Sequence, residues 1–138
     1  MSRPRSPPKR ALFVCTYNSI RSPMAEGLLN ARDDGEWVAE SAGIHPSGVD
    51  PGAVAVLAEA GIDIAGHRSR SVGSCRRRYD LVVFMSPSVR EACYALPDAA
   101  EYITADIPVP AVSGKDGLDG YRKSRDAIRK WIDAHIRS

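Results

Sequence analysis

The residues with the clearest chemical potential are Cys15 and Arg21, which five residues separate. A loop of that length can curl until successive backbone N–H groups point at one centre, which makes an anion-binding nest. The planar guanidinium of an arginine binds an oxyanion through two parallel hydrogen bonds. Such surroundings also favour the thiolate form of a cysteine, which is its nucleophilic form. The spacing therefore predicts that Cys15 attacks a phosphate-like oxyanion that Arg21 clamps.

The side chains near this pair suit the same chemistry. Asn18 is suited to holding the loop, because short amide side chains tolerate left-handed backbone and bond nearby amides. Ser22 can cap the helix that follows and can also hydrogen-bond the sulfur of Cys15, which would ease its departure. The residues predicted to bind the oxyanion are Thr16, Tyr17, Asn18, Ser19, Ile20 and Ser22.

The flanking segments support this interpretation over the alternative of a small buried cysteine at a strand end. Residues 11–14 (ALFV) are an apolar run, typical of a strand that is buried on both faces. Ser22 and Pro23 are typical of a helix start. The predicted loop thus lies between the carboxyl end of a strand and the next helix, where α/β folds bind their ligands.

Strand and helix signals alternate along the rest of the chain. This alternation predicts one α/β domain with a parallel sheet and helices on both faces. The predicted strands are residues 11–14, 36–41, 80–85 and 101–105, and the predicted helices begin at Ser22, Asp50, Ser86 and Leu118, the last one long and amphipathic.

Composition and charge exclude several classes of function. The first ten residues carry four basic and no acidic groups, so the rest of the chain has a net charge of −2 and is not a basic nucleic-acid binder. We predict a disordered basic tail over residues 1–9 and the domain over residues 10–138. No apolar run reaches the ~20 residues that a membrane span needs, and no signal-peptide core follows the first methionine.

Cysteine usage indicates a reducing compartment, and we predict a cytoplasmic location. The chain has three cysteines, Cys15, Cys75 and Cys93, which lack the pair spacing of a zinc site or of a disulfide framework. No metal is predicted.

Residues 14–27 (VCTYNSIRSPMAEG) resemble the signature of the low-molecular-weight protein tyrosine phosphatases and of the related thioredoxin- or mycothiol-linked arsenate reductases. Residues 41–43 (SAG), 61–69 (GIDIAGHRS) and 80–85 (DLVVFM) fall in the order and spacing of that family, and the similarity covers residues 10–137. The resemblance implies a four-stranded parallel, flavodoxin-like sheet and a two-step mechanism without metal or cofactor.

The same resemblance implies a role for each loop residue. Cys15 would attack phosphorus and form a phosphocysteine, Arg21 would clamp the transition state, and Asn18 and Ser22 would support the loop. An Asp near the C-terminus of such enzymes protonates the leaving oxygen and then activates the hydrolytic water.

That acid stands in an Asp-Pro pair in the family, and this chain has no such pair before its last helix. One alignment puts Val109 in the place of the acid, and another makes Asp106 the acid and shifts only the proline. We predict Asp106, because it is the sole carboxylate between Glu101 and Asp116.

Phosphotyrosine is the substrate that we predict first, on a phosphoprotein or a small ester, with another phosphomonoester such as phosphoarginine as an alternative. The resemblance places aromatic pocket walls at two segments that here read Ile44-His45-Pro46 and Val109-Pro110-Ala111. Tyr17 could be the one aromatic wall, or equally a rim residue that packs on a neighbour.

Arsenate reduction is the first alternative function, because arsenate fits the same cradle. The thioredoxin-linked route needs two further cysteines after the strand at 80–85, where Met85 occupies one expected place and Cys93 falls only near the other. Ile20 also replaces the second loop cysteine often seen. A mycothiol-linked reductase needs only Cys15. The second alternative is a pseudophosphatase that binds phosphoproteins without turnover.

Overall fold

The computed structural model describes residues 7–137 and contains one four-stranded sheet. All strands are parallel, in the order β2-β1-β3-β4, so the predicted flavodoxin-like architecture is confirmed. The strands are β1 (Lys9–Cys15), β2 (Trp37–Gly43), β3 (Tyr79–Phe84) and β4 (Ala99–Thr104), and the helices are α1 (Arg21–Asn30), α2 (Pro51–Glu59), α3 (Pro87–Ala92) and α4 (Asp119–His135).

The two faces of the sheet are covered because the side chains of the central strands alternate. Phe13 and Cys15 of β1 point to the core that α1, α2 and α4 build, whereas Leu12 and Val14 point to a smaller core under α3. Both sets are apolar, as a strand with two buried faces requires. The alternation places the sulfur of Cys15 on the same side of the sheet as α1.

The site lies at the edge of the sheet where the helices after neighbouring strands pack on opposite faces. The connection from β1 to β2 runs through α1 on one face, and the connection from β3 to β4 runs through α3 on the other face. A crevice opens at the carboxyl ends of neighbouring strands at such a point. The loop from Cys15 to Arg21 fills this edge of the sheet.

Element boundaries differ from the prediction at the N-terminus and at α3. Lys9 belongs to β1 and not to a disordered tail: its N–H donates to Glu36 O at 2.9 Å, and its ammonium lies over the ring of Trp37. Residues 1–6 of the predicted tail lie outside the described residues. The helix predicted to run from Ser86 to Ala95 spans only Pro87–Ala92. No helix within residues 7–137 has the length and apolar character to cross a membrane.

Candidate active site

The carbonyl groups of the loop after β1 point outward, because neighbouring backbone holds them there. Ile44, His45 and Ser47 donate their N–H groups to the carbonyls of Cys15, Thr16 and Tyr17, at 2.8 to 3.2 Å. Further along, the N–H of Asp50 donates to Ser19 O at 2.9 Å. The hydroxyl of Ser69 donates to Asn18 O.

Outward carbonyls turn the following N–H groups inward, because the two groups point in opposite directions across a planar trans peptide. None of the N–H groups of residues 16–20 donates to another group in the part of the chain that the structure describes. The first N–H groups of α1 add the positive end of the helix. The loop is therefore an anion nest, as the sequence predicted.

Arg21 supplies a fixed positive charge beside this nest. The residue is only 6% exposed, and its guanidinium donates to Ile107 O at 3.0 Å and to Thr16 Oγ1 at 3.4 Å. A charge buried to this degree needs compensation. Two neutral oxygens leave most of that charge uncompensated, so a bound oxyanion is the natural counter-ion.

The sulfur of Cys15 lies 2.9 Å from the hydroxyl of Ser22. This is the hydrogen bond that the sequence predicted. The second predicted role of Ser22, as the N-terminal cap of α1, is wrong: the helix begins at Arg21, its N-cap is Ile20, and no side chain caps it. Ser22 instead lies within the first turn, where its side chain can face the sulfur.

The side-chain amide of Asn18 joins the loop to its surroundings. Its Nδ2 donates to the hydroxyls of Ser22 and Ser41, each at 2.9 Å. Its Oδ1 accepts the backbone N–H of Arg70 at 2.9 Å, which fixes the orientation of the amide. His67 Nε2 lies 3.2 Å from the same Oδ1 and must therefore be its donor. Asn18 has φ 48°, the left-handed backbone that the sequence predicted Asn to tolerate.

The network ends at Glu26 of α1. Ser41 donates its hydroxyl to Glu26 Oε1 at 2.7 Å, and His67 Nδ1 lies 3.8 Å from Glu26 Oε2. The hydroxyl of Ser22 accepts from Asn18 and lies within hydrogen-bond distance of both the sulfur of Cys15 and the carbonyl oxygen of Ala42. The network therefore connects Glu26 to the sulfur of Cys15 through Ser41, Asn18 and Ser22.

Gly43 at the end of β2 allows the loop to approach the sheet. A Cβ at this position would lie 2.6 Å from the backbone nitrogen of Asn18 and 2.9 Å from the carbonyl carbon of Tyr17. Both atoms belong to backbone that the bonds described above hold in place, so neither can move aside without disturbing the nest.

A cavity of about 280 Å³ opens above the nest. Its floor consists of loop residues, including Cys15 and Arg21. Its walls are Tyr17, Ile20, Asp50 and Val109, so three of the four wall residues are apolar or aromatic. Tyr17 is 55% exposed at the mouth of the cavity, and it is the one aromatic residue among the described residues that line the cavity.

Asp106, the predicted general acid, is exposed and does not line the cavity. The backbone after β4 continues the strand pattern, with Ala105 N–H bonded to Phe84 O and Ile107 N–H bonded to Met85 O. Ala105 and Ile107 are buried, so the side chain between them points away from the core. The residue of this segment that reaches the cavity is Val109.

Asp50 is a cavity residue that our sequence analysis treated only as a helix start. Its Oδ1 caps α2 by accepting the N–H of Gly52 at 2.7 Å. The phenol of Tyr121 is close by: burial first, and then the negative charge and hydrogen bond of Asp50, raise the pKa of Tyr121. The sequence signal was available, since residues 44–50 follow the Ser-Ala-Gly segment that abuts the loop.

The other two thiols are unlike Cys15. Cys75 and Cys93 are half-buried and lie on the α3 side of the sheet. Burial is the main cause that raises the pKa of each. Cys93 Sγ contacts Ala95 O at 3.6 Å. Neither residue lines the cavity.

Known proteins share both this sequence pattern and this fold. The family model for low molecular weight phosphotyrosine protein phosphatase matches residues 10–135. An arsenate reductase of Halalkalibacterium halodurans is 36% identical over 126 residues, which are 87% of this chain and 89% of the relative.

Among solved structures, a low molecular weight protein tyrosine phosphatase from T. tengcongensis superposes with a TM-score of 0.74 at 32% identity. The superposition covers 93% of this chain and 97% of the phosphatase chain. An arsenate reductase from Archaeoglobus fulgidus superposes with a TM-score of 0.72 at 34% identity, covering 90% and 96%.

The contact at Gly43 predicts that Gly43→Ala weakens oxyanion binding. The added Cβ forces the backbone at residues 17–18 away from β2, at a cost of about 1–3 kcal/mol in stability, as for other overpacked sites. Calorimetric titration with phosphate should show at least ~10-fold weaker binding, and thermal unfolding should show a lower Tm. Gly66→Ala is the control, because its Cβ would meet nothing within 4 Å. Unchanged phosphate binding in Gly43→Ala would contradict the close contact between the loop and the end of β2.

The surroundings of the three thiols predict selective alkylation. Iodoacetamide at pH 7 should modify Cys15 about tenfold faster than Cys75 or Cys93, because Cys15 faces an anion-binding nest, whereas burial raises the pKa of the other two thiols. Peptide mass spectrometry measures the three rates, and phosphate should protect Cys15 alone. Exposure by itself would give the opposite order, because Cys15 is 2% exposed and the other two are half-buried. Faster labelling of Cys75 or Cys93 would disprove the assignment.

Proposed function

This chain belongs to the low molecular weight phosphotyrosine protein phosphatase family, and on that premise we propose that it is an arsenate reductase that uses Cys15 and an external thiol. Phosphatases and arsenate reductases are both among its relatives, so membership makes it an enzyme without choosing the reaction. One observation carries the choice: the oxyanion cradle is complete, whereas Asp106 does not line the cavity and Asp50, the one carboxylate among the described lining residues, is engaged as the cap of α2.

Hydrolysis of a phosphomonoester needs a carboxyl group that is free to protonate the leaving oxygen, whereas the carboxylate of Asp50 caps α2 and interacts with the phenol of Tyr121. An alkoxide or phenoxide leaves slowly unless an acid protonates it, and such catalysis contributes roughly 10²–10⁴-fold. Attack on arsenate depends less on such an acid, because the leaving group is one of arsenate's own hydroxyl groups and the As–O bonds exchange readily in water. The relative from H. halodurans, at 36% identity, carries the name arsenate reductase, which supports the same choice.

The first step follows from the cradle. The nest and Arg21 hold arsenate as its dianion, with arsenic beside the sulfur of Cys15. The thiolate attacks arsenic, an S–As bond forms, and the hydroxyl group of the arsenate dianion leaves with the As–O electron pair as hydroxide, which a buffer acid protonates to water. Arsenic remains As(V) in this adduct.

The second step transfers two electrons. An external thiolate attacks the sulfur of Cys15, the new S–S bond forms, and the S–As bond breaks with its electron pair passing to arsenic. Arsenite leaves, and Cys15 is held in a mixed disulfide with the thiol. A second thiol then attacks this disulfide, which restores the Cys15 thiolate and releases a disulfide of the two external thiols.

The attacking thiol comes from outside the chain, because the internal candidates are poorly placed. Cys75 and Cys93 do not line the cavity, and their raised pKa leaves little thiolate at neutral pH. A low-molecular-weight thiol, of which mycothiol is an example, fits this requirement. We also propose a cytoplasmic location, since all three cysteines are free thiols and Cys15 must stay reduced.

A second candidate is hydrolysis of aromatic phosphomonoesters, including phosphotyrosine on a protein. The observation in its favour is the apolar wall of Tyr17, Ile20 and Val109, which would pack against an aromatic leaving group. The T. tengcongensis neighbour, a protein tyrosine phosphatase at 32% identity, supports it further.

Arsenate reduction gives the direct test. The wild-type protein with millimolar dithiothreitol should convert arsenate to arsenite, measured by separating the two oxyanions and quantifying arsenic. Cys15→Ser should lose at least ~10³-fold of the rate, because the attacking sulfur is gone. Cys93→Ser is the matched control and should keep the rate within about twofold. If the wild-type protein produced no arsenite but hydrolysed phosphate esters rapidly, its function would be that of a phosphatase.

The position of Asp106 predicts how the protein treats phosphate esters. Para-nitrophenyl phosphate, with a good leaving group, should be hydrolysed slowly, and Asp106→Asn should change kcat by less than about twofold, since the carboxylate does not face the cavity. Steady-state kinetics from pH 5 to 8 measure the effect. A fall of ~100-fold in Asp106→Asn would restore this residue as the general acid.

A further inference from the structure

We propose that Asp50 makes the cavity above the nest selective for a co-substrate with a positive charge near its reacting atom: a thiol with an ammonium group a few bonds from sulfur. The proposal rests on the proposed function, since it names the class of thiol that completes that reaction.

The cavity has room for more than an oxyanion. Arsenate occupies the nest at its floor, beside Cys15 and Arg21, and the volume of about 280 Å³ extends beyond one tetrahedral anion to the walls. The attacking thiol must enter through this remaining space, because the nest encloses Cys15, which is 2% exposed. The walls therefore contact the thiol and not the arsenate.

Asp50 is the one carboxylate among the described residues that line this cavity. Oδ1 of Asp50 accepts the N–H of Gly52, and the carboxylate also interacts with the phenol of Tyr121, but a carboxylate has acceptor sites for further partners. Its backbone N–H, bonded to Ser19 O, fixes the residue against the loop. A carboxylate in this position attracts a cation and repels an anion that approaches Cys15.

Two other features favour a cationic thiol. The ring of Tyr17 forms another wall of the cavity, and an aromatic face attracts an ammonium group. The bound arsenate is itself negative, so an anionic thiol would meet repulsion from the floor as well as from Asp50. An ammonium close to a thiol also lowers the thiol pKa, which supplies more of the attacking thiolate.

The chemical step is unchanged for such a thiol. Its thiolate attacks the sulfur of the Cys15–arsenic adduct, an S–S bond forms, the S–As bond breaks, and arsenic takes the electron pair and leaves as arsenite. Asp50 touches the ammonium and no reacting atom, so it determines which thiol is preferred and does not take part in bond making.

The first experiment measures the charge preference of the cavity without any turnover. Three methanethiosulfonate reagents with aminoethyl, methyl and sulfonatoethyl groups carry charges of +1, 0 and −1, and mass spectrometry of the Cys15 peptide follows each reaction. The ratio of aminoethyl to sulfonatoethyl rates should fall roughly threefold to fivefold in Asp50→Asn, the size expected of a partly solvated charge pair. Asparagine keeps the helix cap, so the fold is retained.

Asp63→Asn is the matched control. Asp63 accepts the N–H of Ala65, two residues later, as Asp50 accepts that of Gly52, but it lies outside the cavity. It should leave the ratio of rates unchanged. An equal slowing of all three reagents in Asp50→Asn, or the same fall in Asp63→Asn, would overturn the proposal.

The second experiment uses turnover. Arsenite production by the wild type should be faster with cysteamine than with 3-mercaptopropionate at equal thiolate concentration, and Asp50→Asn should remove most of this difference through KM of the thiol and not kcat. Equal KM changes for both thiols would overturn the proposal. If no thiol supports arsenate reduction while the reagent ratio still falls, the proposed reaction fails and the charge preference of the cavity stands.

Discussion

The side-chain amide of Asn18 is the interaction on which the rest of the site depends. Its four hydrogen bonds reach α1 through Ser22, β2 through Ser41, and the segment before β3 through His67 and Arg70. The residue is fully buried in a left-handed conformation, which persists only when its surroundings determine it. Loss of any one partner would leave a buried polar group unsatisfied, so the network holds as a unit. The anchor fixes the middle of the loop, while the backbone bonds from residues 44–50 and the hydroxyl of Ser69 hold the loop carbonyls outward.

Binding and specificity are consequently carried by different kinds of group. In the proposed reaction the oxyanion would be held by backbone N–H groups and one guanidinium, whereas the part of the cavity above it is lined by Tyr17, Asp50 and Val109. Substitutions in the walls can change the second reactant without disturbing the first. This separation explains how relatives with one fold carry names of both phosphatases and arsenate reductases.

Sequence reasoning predicted the nest because its parts are local: an apolar strand, a short loop and a helix start within fourteen residues. The sheet followed from apolar runs in β1 and β3. Sequence reasoning missed Asp50, because residues of a distant segment that form the cavity wall meet the loop only through tertiary packing. The outward orientation of the Asp106 side chain could have been inferred from the sequence, since Ala105 and Ile107 flank it with two-residue spacing and continue β4. The prediction of Asp106 as the acid rested instead on its being the sole carboxylate between Glu101 and Asp116. The short α3 could not be anticipated, because Ser86-Pro87 marks where a helix starts and nothing in residues 93–97 marked its end so early.

A nest of backbone N–H groups recognises charge and tetrahedral shape and has no means of telling phosphorus from arsenic. Inorganic phosphate must therefore compete for the same floor, and it forms no reducible adduct with Cys15. Under the proposed reaction, phosphate would lower the rate of arsenate turnover by competition, so that this rate would follow the ratio of the two oxyanions instead of the arsenate concentration alone. The proposed enzyme would then respond to relative abundance.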